Sequence, residues 1–211
     1  QKCSRLVSFR NKVAAEKRKS FQNWEYWGKP VPGFGDINSQ IMILGLAPAA
    51  HGANRTGRVF TGDKSAEFLF KSLYDTSLSN IPSSEDRDDG LILNAYMTVA
   101  VKCVPPGDKP LALERTNCEI YFNEELVFLH SLKVIVGLGK IAFDAVLKNI
   151  KKKYPILMKD FPFRHGARYV LPNKIVLYAS FHPSPRNVNT GKLSQKMLTS
   201  LLLNVKKEIS T

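Results

Sequence analysis

The sequence predicts a three-layer α/β/α fold built on a central four-stranded parallel sheet. Two observations carry this reading. Four short apolar runs, at 40–46, 92–103, 134–138 and 175–180, read as strands buried on both faces, as strands of parallel sheets are. Around them the apolar residues switch to helical spacing, so strand and helix alternate along 211 residues. That length suits one domain with a full hydrophobic core, placed at 1–211.

The elements follow in order. Residues 4–18 have weak helical spacing at Leu6, Phe9 and Val13 and carry a run of basic side chains. Trp24, Tyr26 and Trp27 then lead into a loop punctuated by Pro30, Pro32, Gly33 and Gly35. After the strand at 40–46, residues 47–62 read as loop, rich in Gly and small side chains. From Ser65 the period changes, with Ala66, Leu69, Phe70, Leu73 and Tyr74 on one face of an amphipathic helix. A polar loop at 76–90 precedes the second strand, which Pro105-Pro106-Gly107 stops. Cys118, Phe122, Leu126 and Leu129 restore helical spacing. The third strand, at 134–138, runs at once into a helix with Phe143, Val146, Leu147 and Ile150 inward. Residues 151–173 hold three prolines and read as irregular, and a last helix covers about 193–208.

Charge narrows the function. Thirty-one Lys and Arg against eighteen Asp and Glu leave +13, which points to a polyanionic partner. No apolar run reaches the length of a membrane span, and the first twenty residues lack the apolar stretch of a secretory signal. Three cysteines are too sparse and too odd in number for a disulfide scaffold. A reducing, cytoplasmic and nucleoid-associated location is therefore expected. The chain starts with Gln1 rather than Met, so some N-terminal residues are expected to be missing.

In an open parallel sheet, ligands bind beyond the carboxyl ends of the strands. Three segments fall there. They are Gly-Leu-Ala-Pro-Ala-Ala-His-Gly-Ala-Asn-Arg-Thr-Gly-Arg at 45–58 with Phe-Thr-Gly-Asp at 60–63, Lys-Cys-Val-Pro-Pro at 102–106, and His-Pro-Ser-Pro-Arg-Asn at 182–187. Together with Pro-Val-Pro-Gly-Phe-Gly-Asp at 30–36 and Pro-Phe-Arg-His-Gly-Ala at 162–167, they resemble the signature of type-b (family 5) uracil-DNA glycosylases. The pieces stand in family order over nearly the whole chain.

That resemblance implies hydrolysis of the N-glycosidic bond of uracil, and of other deaminated or damaged bases, in double- or single-stranded DNA. A base inside a duplex cannot be reached, so the nucleotide has to be flipped into a pocket. Leu46 and Ala47 would contact the base, and Phe60 would supply the face on which it stacks. From position alone, Phe60 reads equally as a core aromatic at a loop-to-helix junction. Asp63, directly before an amphipathic helix, reads by position as an N-cap. The resemblance instead makes it the group that orients or deprotonates the attacking water. His182 ends the fourth strand and would donate to the charge that develops on the leaving base, where a packing histidine is the plainer alternative. Arg55 and Arg58 are expected at phosphates. Ser184 and Pro185 would brace the backbone, with Arg186 and Asn187 as a minor-groove wedge. His51 and His165 lie in the same motifs without an assigned role.

Two positions depart from related patterns. Members of the sister type-a family read the base with an Asn in the second strand. Val99 stands there in this chain, as in type-b members, and implies looser base selection. Asp108 stands where some type-b members have Asn, which puts a pocket role for that position in doubt. The resemblance also implies a [4Fe–4S] cluster held by Cys3, Cys103, Cys118 and a fourth cysteine expected just upstream of Gln1. Spacing alone would leave three buried thiols.

The rival from another class is a non-catalytic, basic nucleic-acid-binding module of the same fold, with Trp24 and Trp27 as a stacking platform. Other chemistries lack their signatures. Gly137-Leu138-Gly139-Lys140 is too short for a phosphate-binding loop, and the zinc-deaminase spacing is absent. No lysine in the first or last motif is placed to form a covalent adduct. A monomer is expected.

Overall fold

The computed structural model describes residues 2–209. Its sheet has six strands: β1 (Phe34–Gly35), β2 (Ile41–Gly45), β3 (Tyr96–Val99), β4 (Val134–Leu138), β5 (Arg168–Val170) and β6 (Val176–Ser180). Their order is β1-β3-β2-β4-β6-β5. The four inner strands are parallel and correspond to the four apolar runs. The two edge strands, absent from the four-stranded expectation, are antiparallel. Both are short, and neither has a fully buried residue, so neither leaves a periodic trace in the sequence. The second strand is also shorter than expected. Pairing continues past it without strand geometry, through the amides of Ala100 and Val101 donating to the carbonyls of Gly45 and Leu46.

Among the described residues seven α-helices accompany the sheet: α1 (Ser4–Glu16), α2 (Ala53–Thr56), α3 (Lys64–Asp75), α4 (Ala112–Phe128), α5 (Lys140–Lys151), α6 (Pro185–Asn189) and α7 (Gln195–Lys207). The period of two along each strand divides the core. Ile41, Ile43, Met97, Val99, Val134 and Val136 face the layer of α3 and α7, where Leu69, Phe70, Leu73, Leu198 and Leu202 close over them. Met42, Leu44, Ile135 and Leu177 face the other way, toward Phe122 of α4 and Phe143, Val146 and Leu147 of α5. The three-layer arrangement is as the sequence predicts. Tyr74, expected on the buried face of α3, is instead 47% exposed, because α3 is nearing its end there and its inward stripe stops at Leu73.

One buried polar network ties the second strand to α4. Lys102 Nζ lies 2.6 Å from Glu125 Oε1, and Thr98 Oγ1 donates to both oxygens of that carboxylate. Both charged side chains are out of solvent. Burial pulls the Lys102 ammonium below its ordinary pKa, and the adjacent Glu125 acts the other way. Lys102→Met strands the carboxylate in the interior and is expected to cost about 3–5 kcal/mol of unfolding free energy. Urea titration reads this loss. Adding Glu125→Leu should recover most of it, because no charge is then left alone.

Candidate active site

The carboxyl ends of β2, β3 and β6 open onto a cavity of about 330 Å³. Its walls are Leu46, Ala47, Pro48 and Ala49 after β2, with Val59, Phe60, Asp63 and Ser65 from the segment leading into α3. Val99 closes one side, and Asp108, His182, Ser184 and Pro185 complete the rim. The residues expected to touch the base and carry the chemistry thus converge, although up to 136 positions separate Leu46 from His182. A second cavity of about 190 Å³ lies between α4 and α5 and contains none of them.

Phe60 has φ +49°, the left-handed region that side chains with a Cβ avoid. Such a conformation costs about 1–3 kcal/mol and persists only where the surroundings enforce it. The enforcement is visible at Gly45, opposite Val99 in the sheet. A Cβ on Gly45 would lie 2.7 Å from Phe60 Cζ and 2.8 Å from Cε2. The ring therefore rests on bare backbone. It is 8% exposed and belongs to the core, and it also lines the cavity.

Asp63 caps α3. Its Oδ1 accepts both the Ser65 amide, at 2.9 Å, and the Ala66 amide, at 3.0 Å. The cap thus uses one oxygen. The other, Oδ2, faces Gly52, where a Cβ would stand 2.2 Å from it. Burial pushes the Asp63 carboxyl above the ordinary aspartate range, while the two capping amides and the charge of Arg55 act downward.

His182 lies across the cavity, its ring 6.1 Å from that of Phe60 and tilted by 33°. Burial lowers its pKa from 6.5 to about 4, against a weaker upward pull from Asp108. The imidazole is therefore neutral at pH 7. Among the described residues no side chain or carbonyl takes a hydrogen bond from it, so its N–H is free for a ligand.

A site of this make-up, on this sheet, can be set against known proteins. The family model described as the uracil DNA glycosylase superfamily matches residues 32–206. The chain belongs to the uracil-DNA glycosylase superfamily. A type-5 uracil-DNA glycosylase of Pyrobaculum aerophilum is 46% identical over 202 residues, covering 95% of this chain and 85% of that protein. One from Thermus thermophilus is 43% identical over 205 residues, covering 97% and 91%. A type-4 uracil-DNA glycosylase of Sulfurisphaera tokodaii is 26% identical over 184 residues, covering 84% and 76%.

Several expectations for this uracil-DNA glycosylase superfamily member need correction. Arg55 and Arg58 do not face solvent as phosphate contacts would; they are 3% and 8% exposed. Arg58 turns inward, with Nη2 on Asp89 Oδ2 at 2.5 Å and on Ser84 Oγ at 2.9 Å, and Nε on Thr61 Oγ1 at 3.0 Å. It holds the polar loop against the first motif. The Trp24 ring is likewise occupied, with the Arg55 guanidinium 4.0 Å from its centroid, and both Arg87 and Lys29 lie against the Trp27 ring. Asn187 is not a free wedge, since its side-chain amide donates to the His182 carbonyl at 2.8 Å. Ser184 caps α6 by accepting the Asn187 amide. Arg186 alone of this group is exposed and without a side-chain partner among the described residues.

His165, which had no assigned role, anchors the chain that enters His182. Its Nδ1 accepts the Phe181 amide at 3.2 Å, which leaves Nε2–H to donate to the Met197 carbonyl at 3.3 Å. Asp108 does reach the cavity rim, through a turn in which Gly107 and Asp108 both take positive φ. Val99 presents only methyl groups there.

Cys3, Cys103 and Cys118 gather in one cluster with Leu6 and Val101, joining the start of α1, the turn after β3 and α4. Burial pushes the Cys103 and Cys118 thiols up, with Arg10 acting downward on the first and the Lys102 amide on the second. Arg10 Nη1 donates to Cys103 Sγ at 3.1 Å, while its buried Nε has no partner among the described residues. Among those residues no three His, Cys, Asp or Glu side chains converge tightly enough for a single metal ion. The expected fourth cysteine falls outside the described residues.

Proposed function

We propose that this chain is a monofunctional uracil-DNA glycosylase that hydrolyses the bond between a flipped base and its deoxyribose. The observation that carries this is one cavity lined together by Asp63, whose Oδ2 is not used by the helix cap, by a neutral His182 and by the Phe60 ring. The flipped uracil stacks on Phe60, and the Leu46–Ala47 backbone borders its edge. As the C1′–N1 bond breaks, its electron pair leaves with the base, and His182 donates a hydrogen bond to the oxygen where that charge collects. Water adds its oxygen to C1′ and gives its proton to Asp63 Oδ2; the base anion takes a proton as it departs. The products are free uracil and an abasic site.

Val99 offers no donor or acceptor to the base edge, which supports a range wider than uracil. The exposure of Arg186 in the last motif supports a role for it in the minor groove. A [4Fe–4S] cluster on Cys3, Cys103 and Cys118 has support in Arg10, a buried cation on the Cys103 thiol, which while protonated gives it no counter-charge. Thiolates of a cluster would. Its contribution would be structural, joining α1 to the turn after β3.

Single-turnover release from duplexes carrying uracil, hypoxanthine or thymine opposite guanine tests the function. Release of uracil, leaving an alkali-labile site, is the expected result. DNA binding without base release would favour the non-catalytic module instead.

A further inference from the structure

Arg55 is the most enclosed cation near the site, and its surroundings explain three otherwise separate features. Its guanidinium carbon lies 4.0 Å from the ring centroids of both Phe21 and Trp24, so the aromatic pair after α1 forms its seat. Nε donates to the His51 carbonyl at 2.8 Å, and Nη2 to the Gly62 carbonyl at 3.1 Å. Gly62 has φ +72°, and a Cβ there would lie 2.2 Å from Arg55 Nη2. The glycine thus makes room for the arginine. Gly62 immediately precedes Asp63, and Gly52, whose bare backbone faces Asp63 Oδ2, immediately follows His51. The two carbonyls that Arg55 holds therefore belong to the two backbone segments that frame the Asp63 carboxylate.

We infer that Arg55 is a positioning residue for Asp63, clamping the His51–Gly52 and Gly62–Asp63 segments together, and is not a phosphate ligand. This rests on the reading of Asp63 as the group that activates water. The clamp fixes where Oδ2 points, and its charge acts on the ionisation of Asp63 from the protein side. Arg55 is faced by Tyr26, His51, Glu85 and Asp86 as well as Asp63, and Asp63 by Glu67 as well as Arg55. A guanidinium keeps its proton throughout the working range, so this support does not switch with pH.

The test compares Arg55→Met in two backgrounds by single-turnover uracil release. In the wild type it is expected to slow release about 10- to 100-fold, the scale of a misplaced reacting group. The acid limb of the rate should move to higher pH, and the DNA Kd should stay unchanged. In the Asp63→Asn background the same change should add almost nothing. Arg55→Lys, which keeps the charge but lacks the fork, should restore the acid limb more fully than the rate. If Arg55→Met does not melt cooperatively, Arg55→Lys with and without Asp63→Asn gives the same comparison. An equal loss in both backgrounds, or a weakened Kd with an unchanged saturated rate, overturns the inference. A wild-type rate in Asp63→Asn alone would instead overturn the reading of Asp63 on which it rests.

Discussion

Asp63→Asn is expected to slow single-turnover uracil release about 1000-fold, within the span that a positioned general base supplies. Asparagine is chosen because the cap and the chemistry use different oxygens. Its side-chain oxygen can still accept the Ser65 and Ala66 amides, and asparagine is as good an N-cap as aspartate, so α3 should keep its start. What is lost is the proton acceptor facing Gly52. The pH profile separates this from a general loss of order. The wild-type rate should fall on acidification with a midpoint above the 3.8 of an ordinary aspartate, because burial favours the protonated carboxyl. The residual rate of Asp63→Asn should show no such limb. The sign for stability is opposite. With its folded pKa above the unfolded value, Asp63 binds a proton more readily in the native state. Its contribution therefore favours folding below the unfolded pKa and is lost as pH rises through the folded one. Acid should switch off the chemistry without, at this residue, loosening the fold.

The parts of this molecule that could be read from sequence are those where burial sets a period. Ile41–Gly45 and Val134–Leu138 are apolar throughout because helices cover both faces, and α5 shows its inward stripe at Phe143, Val146, Leu147 and Ile150. Phe34–Gly35 and Arg168–Val170 left no such trace, since two or three partly exposed residues have no pattern to break. In the site, the motif residues were legible as a set, but the direction of each side chain was not. Arg55 and Arg58 lie in a Gly-rich stretch that reads as loop in a very basic chain, a setting that suggests phosphate contacts, although Arg55 falls in the short helix α2. Their partners Trp24, Phe21, Ser84 and Asp89 lie some 25 to 35 positions away, in segments with no periodic link to the loop. One miss had a local signal. Ser184 followed by Pro185 is a cap with proline at the first helical position, which marks the start of α6 and turns Asn187 back toward His182.

His182→Ala should cost about 3–4 kcal/mol of barrier, a 10²- to 10³-fold slower release, the loss typical of one donor aimed at developing negative charge. The argument depends on the imidazole being neutral. A pKa of about 4 places the cationic form out of reach at working pH, so His182 contributes a hydrogen bond and no net charge. Two consequences distinguish this from lost packing against Phe60. The first concerns the leaving group. A base whose anion is intrinsically more stable, such as 5-fluorouracil, needs the donor less, so His182→Ala should lose less on that substrate than on uracil. A packing defect would slow both alike. The second concerns pH. His182→Ala should retain the acid limb, because that limb belongs to Asp63. Equal losses on both substrates, together with a displaced acid limb, would mean that His182 acts by holding the pocket's shape and that the leaving base is stabilised elsewhere. The exposed Asp108 on the rim is an unsuitable substitute, since a carboxylate there would oppose a departing anion. Within this cavity the neutral imidazole is therefore the donor best matched to a negatively charged leaving group.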